Sequence, residues 1–547
     1  MIAAAGAAQS CATPRFAIAG AVNPARGRIV DVHCHLFNST DLPAARFIKI
    51  VFLGLFRKEA APSLDIEQPD FVDALIALFL LVLGQGAAPT ADQEAASLRD
   101  GRQPRGGRRV SEQLVADATA EYLLGASSGA NAAPENTPGR TKLVAEILAA
   151  GAPGDGAPRQ GPLTPNEANE AAGRAMRSDF SIGRYLRWFA LFVRARASLA
   201  DQLAAQHRAD GFSQVLLCPA LIDYDAWLDE RVRRSPLRSQ VHVMGQVALR
   251  SRGPAVHGYV AFDPLRQLNF ERKIDRRENP INLVREALTE YGFLGVKLYP
   301  PMGFRASGNL DKPQQRYPEA VDAALGGRVG DGLNAALDLL YETCVDLHAP
   351  IIAHASASNE AGPNYALRAD PAYWLPVFER WPALHVCLAH FGSFAHQSAA
   401  TPETPLPLGS WEYAFGDYIR RHPESPVFAD LSFFTEIAGK SDAELSAYAD
   451  TLLKFMAACD PDCRHLVFGS DWIMLGNNKM AEGYAATVFE FFKTRCNFDA
   501  AKLERLFSGN AARFLGLRDG DPTRDRLLKF YAANGANPDR LPQFDRG

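Results

Sequence analysis

The sequence predicts an α/β fold, a (β/α)8 TIM-type barrel with a large helical insertion after its first strand. Three observations predict it. From Gly211 onward, short β-rich runs alternate with stretches whose apolar residues recur at helical spacing. Counting RIVDVHCHLF at 28–37, there are eight such runs. Between the first run and the second lie roughly 170 residues, far beyond an ordinary βα connection. Repeated βα units imply parallel strands, and eight of them imply a closed ring.

Taken in order, the first strand is followed by helical stretches near 69–83, 111–124, 141–150 and 165–207. Two segments rich in Gly, Ala and Pro, Gly125–Thr137 and Gly151–Thr164, interrupt them. Phe71–Gly84 (FVDALIALFLLVLG) is the most apolar run. It is shorter than the ~20 residues a membrane span needs and carries Asp73, so it reads as a buried helix. GFSQVLLCPA (211–220) is the second strand, then a helix over 237–249, strand VHGYVAFDP (256–264) and a helix over 282–291. FLGVKLYPP (293–301) is a strand stopped by two prolines, followed by a helix near 332–347 and strand PIIAHAS (350–356). The alternation ends with helix 371–380, strand HVCLAHFG (385–392), helix 411–421, strand PVFADLSF (426–433), helix 442–458, strand HLVFGSDW (465–472), and helices 480–494 and 500–507.

The chain thus divides into an N-terminal segment 1–27, the first strand 28–40, an insertion 41–210, the rest of the barrel 211–520 and a C-terminal tail 521–547. The insertion leaves from the C-terminal end of a strand, where barrel active sites lie. It is expected to be a helical cap over the site, or else a peripheral decoration or homo-oligomer contact.

The composition bounds the partners. A net charge of -4, with 47% hydrophobic and 22% charged residues, gives no footprint for nucleic acid or an anionic membrane. A small-molecule substrate is expected instead. The eight cysteines show no disulfide-style pairing; Cys218, Cys344 and Cys387 sit in apolar runs. Cys459 and Cys463 have no second pair to complete a zinc knuckle. Reduced thiols in a cytoplasmic protein are expected. The opening MIAAAGAAQSCATP lacks the positive region and long apolar core of a secretory leader. Arg102, Arg105, Arg108 and Arg109 alternate with Gly and Pro and read as a solvated loop.

Chemistry-bearing residues fall at the ends of the predicted strands. His33 and His35 lie late in the first, Lys297 late in the fourth, His354 in the fifth, His390 in the sixth and Asp471 at the end of the eighth. In a barrel these ends form one rim, and residues far apart in sequence converge there. Imidazole and carboxylate together suit Zn²⁺, with Mn²⁺ or Fe²⁺ as alternatives. Such an ion lowers the pKa of bound water to about 7, and Asp471 is placed to take its proton and pass it to a leaving group.

Other positions carry two readings each. Asp31, two before His33, orients a ligand imidazole or is a structural acceptor. Arg305 in the loop after the fourth strand grips a substrate carboxylate or lies on the surface. Tyr299 and Trp472 line a pocket or pack, and Asp430 supports the site or the core. His385 and His465 begin their strands and belong to the opposite face, while His348 ends a helix where a cation suits the dipole. The G-x-S-x-G pattern at Gly125–Gly129 follows a helical stretch and opens a Gly, Ala and Pro-rich segment instead of joining a strand to a helix, so it is no nucleophile elbow and covalent catalysis is not expected.

DVHCH, GVKLYPP, PIIAHAS, PALHVCLAHFG, LVFGSDW and LFSGNAARFLGL resemble the successive motifs of the amidohydrolase superfamily. They are most similar to its amidohydrolase-related branch, which includes aminocarboxymuconate-semialdehyde decarboxylase. The resemblance covers 28–38 and about 211–517, and the insertion matches nothing named. It implies His33, His35, His354 and Asp471 as metal ligands. It implies His390 as a ligand of a second metal or as a group that polarises the substrate. Lys297 matches either a carbamylated bridge between two metals or a lysine that binds substrate carboxylate or packs. The implied activity is hydrolysis of an ester, lactone or amide. The alternative is non-oxidative decarboxylation of an unsaturated or aromatic acid, and a third reading is a barrel that binds without catalysis.

Overall fold

The computed structural model describes residues 26–43, 69–84, 88–102, 104, 107–128, 137–150, 162–178, 181–228, 234–358, 360–392, 394 and 410–544. Segment 1–25, Arg105 and most of the two Gly, Ala and Pro-rich segments lie outside the described residues. The strands are β1 (Arg28–Cys34), β2 (Gln214–Pro219), β3 (Ala255–Val256), β4 (Tyr259–Ala261), β5 (Gly295–Leu298), β6 (Ile351–His354), β7 (Val386–Ala389), β8 (Val427–Asp430) and β9 (Leu466–Val467). All pair in parallel, in the orders β1-β2-β3 and β4-β5-β6-β7-β8-β9. β3 and β4 are one barrel strand interrupted at His257–Gly258. A bridge between Ala220 and Tyr259 carries the sheet across that gap.

The ring closes where β9 runs on past its last ladder residue. The Val32 N–H donates to the Phe468 carbonyl at 3.1 Å, and the Ser470 and Asp471 N–H groups both donate to the His33 carbonyl, at 3.0 and 2.7 Å. The fold is the predicted eight-position parallel barrel. Gly469 lies in this seam, where a Cβ would stand 2.9 Å from the His33 Cβ, so the close approach requires glycine.

Between β1 and β2 the described residues hold helices Pro69–Gly84, Ala91–Arg99, Arg108–Ser128, Pro138–Ala150, Pro165–Arg177, Ser181–Leu191 and Arg196–Ala209. The stretch expected over 165–207 is three helices, because Ser178 is extended and ends the first of them. Ala91–Arg99 escapes a periodicity reading, although its Thr90–Gln93 capping box is visible in the sequence. Arg108 and Arg109 open a helix rather than a loop, and Arg108 pairs with Glu112 one turn on at 2.7 Å. Leu75, Leu78, Phe79 and Val82 bury one side of Pro69–Gly84, and no described helix is long and apolar enough to cross a membrane.

A charged knot ties the insertion to the loop after β1. Arg196 Nη2 lies 2.5 Å from Asp41 Oδ1 and Arg196 Nη1 lies 2.9 Å from Glu94 Oε2. All three side chains are buried. Glu94 also accepts from the Arg196 and Ala197 backbone N–H groups at 3.0 and 2.8 Å. Asn38 donates to the Pro89 and Arg194 carbonyls at 3.0 and 2.9 Å.

At the other end of the barrel, the segment expected as a C-terminal tail carries, within its described residues 521–544, a packed helix. Helix Pro522–Ala533 packs under the strands, and Phe530 and Tyr531 join a cluster with Val30, Leu216, Ile352, Phe428 and Val467. Buried His257 donates from Nδ1 to the Gly292 carbonyl at 2.7 Å, and Tyr531 donates its hydroxyl to Nε2 at 2.8 Å. His385 bonds the Phe514 carbonyl at 2.8 Å, on the same face.

Replacing Arg196 by Ala leaves two buried carboxylates without their cation. The expected cost is about 3–5 kcal/mol, because breaking a buried pair strands its partner charges. The urea unfolding midpoint measures it.

Candidate metal centre

Alternation along β1 is broken by a register shift between Asp31 and Cys34. Before the shift, Asp31 turns to the insertion: it accepts from His207 Nε2 at 3.0 Å, and from the Ser470 N–H and hydroxyl at 3.0 and 2.6 Å. It therefore does not orient His33, and its structural reading holds. After the shift, the His33 and His35 rings lie 5.3 Å apart near Asp471. His35 Nδ1–H donates to the Ala220 carbonyl at 2.9 Å. Its Nε2 faces Asp471 Oδ1 at 3.1 Å, and His33 Nε2 lies 3.8 Å from the same oxygen. Asp471 adopts a left-handed backbone conformation with φ 53, as does His390 with φ 69. Such conformations persist in non-glycine residues only where the surroundings hold them.

Asp430, at the end of β8, and Ser432 organise the opposite side of the rings. Asp430 Oδ2 accepts from His33 Nδ1 at 3.1 Å, and Oδ1 accepts from the His390 and Ser432 N–H groups at 3.0 and 2.9 Å. The Ser432 hydroxyl, itself bonded to Asp430, lies 2.9 Å from both His33 Nδ1 and His390 Nδ1. Lys297 Nζ donates to His33 Nε2 at 2.9 Å. His390 Nε2 and His354 Nδ1 are 3.0 Å apart, and the Tyr299 ring stacks on His354 at 4.4 Å.

Burial and the neighbouring Lys297 pull the His33 imidazole down to about 3, so it is neutral near pH 7 with Nδ1–H aimed at Asp430. Burial lowers Lys297 to about 8, against the pull of Asp430 and Asp471. Burial opposes the charge on Asp471, but the His35 hydrogen bond and the neighbouring His390 and His33 prevail and hold it at about 2. Burial likewise opposes ionisation of Asp430, and His33, His390 and Ser432 outweigh it. The imidazoles of His354 and His390 are depressed, first by burial.

His33, His35 and Asp471 each bring one ligand atom within 4.8 Å of the others; His33, His390 and Asp430 form a second such group among the described residues. The first group fits a divalent cation. Its two imidazoles are anchored through Nδ1, which turns Nε2 inward, and the buried carboxylates of Asp430 and Asp471 outnumber the Lys297 ammonium. His354 is brought to the rim but joins the network through His390 rather than through the first group.

Other sequence candidates land elsewhere. Arg305 lies over the Tyr373 ring at 4.6 Å and bonds the Gly308 carbonyl at 3.3 Å, within its own loop. Trp472 is buried, and its backbone N–H donates to the Ser470 hydroxyl at 3.2 Å. Two residues escape the sequence reading. Ser432 shows only as a serine two past Asp430. Tyr224 packs edge-on against Tyr299 at 5.2 Å, and burial raises its phenol well above the usual range.

Residues 273–517 match the family described as amidohydrolase. With this match the protein is an enzyme. No curated protein matches the chain. Among solved structures, 4-oxalomesaconate hydratase from Rhodopseudomonas palustris is 15% identical, with a TM-score of 0.35, covering 62% of this chain and 86% of its own. A zinc-bound amidohydrolase from Burkholderia multivorans is 16% identical, with a TM-score of 0.35, covering 60% and 91%. An uncharacterised TIM-barrel protein from Bordetella bronchiseptica is 16% identical, with a TM-score of 0.34, covering 57% and 81%.

Asp430→Asn removes the acceptor that fixes the His33 tautomer. Zn²⁺ affinity is expected to fall about 10–100-fold, read by competition with a chromophoric chelator.

Proposed function

We propose that this protein is a metal-dependent hydrolase of the amidohydrolase kind, acting on an ester, lactone or amide of a small molecule, with Asp471 as the proton carrier. The observation that carries the reading is the convergence of His33, His35 and Asp471, with both imidazoles anchored from behind. These three residues would hold the ion. A bound Zn²⁺, Mn²⁺ or Fe²⁺ would supply Lewis acidity toward a carbonyl oxygen and lower the pKa of water to about 7.

The chain's own groups do the rest. Asp471 is ionised near pH 7 and is ready to take a proton from the attacking water and hand it to the leaving group. His390, linked to His354 and held by Ser432 and Asp430, is placed to donate to the developing negative oxygen. Lys297 contributes positive charge beside His33.

One ion in the first group is the primary reading. The second group of His33, His390 and Asp430, with Lys297 lowered by burial to about 8, favours a two-ion variant in which a carbamylated Lys297 would bridge. Elemental mass spectrometry separates the two by stoichiometry. The described cysteines are free and buried, which supports a reducing cytoplasmic setting.

A panel of esters, lactones, amides and unsaturated acids tests the reaction. Hydrolysis is expected to stop on chelation and return with Zn²⁺, and chelator-indifferent turnover defeats the proposal. Release of CO₂ from an acid in the panel would replace hydrolysis by decarboxylation. Asp471→Asn is expected to lower kcat by at least about 10²-fold while the circular dichroism spectrum stays unchanged. Undiminished turnover in that variant rules out its role.

A further inference from the structure

We propose that Trp188, in the insertion, is a positioning residue for Asp471, so that the insertion takes part in building the metal centre. The inference rests on the reading of Asp471 given above. The Trp188 indole N–H donates to the Ile473 carbonyl at 2.8 Å, two residues past the carboxylate. Trp188 itself is 1% exposed. The same carbonyl accepts the Gly476 N–H at 3.0 Å, while the Asp471 carbonyl accepts the Leu475 N–H at 3.1 Å. The turn that carries Asp471 is therefore closed by its own hydrogen bonds on one side and by the indole on the other.

The contact is fitted closely. A Cβ on Gly476 would stand 2.6 Å from the indole Cδ1, so the ring lies directly against the backbone of this turn. Asp471 holds its φ of 53 in a region that L residues leave unless neighbours keep them there. Its backbone N–H is tied to the barrel through the His33 carbonyl, and Trp188 is the insertion's hold on the following turn.

The same ring is also linked, through two further rings, to His35, another of the three ligands. Trp188 packs on Phe192 with ring centres 5.0 Å apart, Phe192 on Phe37 at 5.8 Å, and Phe37 on His35 at 5.7 Å. His35 in turn faces Asp471 at 3.1 Å. One aromatic cluster of the insertion thus bears on both arms of the centre, through a hydrogen bond on the aspartate side and through packed rings on the histidine side.

The test uses the full chain and Zn²⁺ alone, with affinity read by competition with a chromophoric chelator. Trp188→Phe keeps an aromatic ring and removes the N–H. Its Zn²⁺ dissociation constant is expected to rise about tenfold or more, the usual effect of losing a group that orients a ligand. Phe79→Leu, in the same aromatic cluster and without an N–H to give, is the packing control. It is expected to lower the melting temperature while binding Zn²⁺ as the parent does. Gly476→Ala, which drives the indole off the carbonyl, is expected to weaken Zn²⁺ as Trp188→Phe does, and it serves if that variant fails to fold. If Trp188→Phe binds Zn²⁺ as tightly as the parent while Asp471→Asn does not, the positioning role is overturned and the centre stands. If Asp471→Asn itself binds as tightly as the parent, the reading of the centre falls, and this inference with it.

Discussion

The His33 carbonyl accepts from two consecutive backbone N–H groups, those of Ser470 and Asp471. This pairing is at once the closure of the barrel and the placement of its chemistry. It brings the strand bearing His33 and His35 against the turn bearing Asp471, with a glycine at 469 so that the two backbones can touch. The side chains then need only local help. The Ala220 carbonyl fixes one ring and Asp430 the other. Loss of the seam would separate the ligands, whatever their individual rotamers.

Charge follows from the same geometry. Two buried carboxylates, Asp430 and Asp471, share the rim with one ammonium, Lys297, and with the imidazoles of His33, His354 and His390, whose pKa values burial lowers. An uncompensated negative charge in such surroundings is costly unless a cation answers it. The favourable partner is a divalent ion rather than another side chain, and the described residues supply no further cation to His33, His35 or Asp471 among their contacts.

Much of this was legible in the sequence. Strand-end placement of His33, His35, Lys297, His354, His390 and Asp471 required only alternation of strands and helices and the rule that barrel strand ends share a rim. What was not legible arises from irregular backbone. Asp31 seemed to share a face with His33 because strand residues two apart normally do, yet the register shift after it sends the two to different partners. The support role of Asp430 and Ser432 depends on a bend past β8 that no periodicity encodes. Arg305, polar and next to the rim in sequence, is held by its own loop and by Tyr373. The helices of the insertion were partly visible through their apolar spacing, but their breaks at Ser178 and their attachment through Arg196 are tertiary facts.

Residues 31 and 470, bonded to each other across the seam, are 439 positions apart. The ring therefore cannot close until nearly the whole chain has been synthesised. The insertion emerges much earlier, and its contacts are nearer in sequence: Arg196 meets Glu94 at a separation of 102 and Asp41 at 155. The order of emergence thus lets the helical unit form before any barrel exists, with Arg196 already gathering in the residues that follow β1.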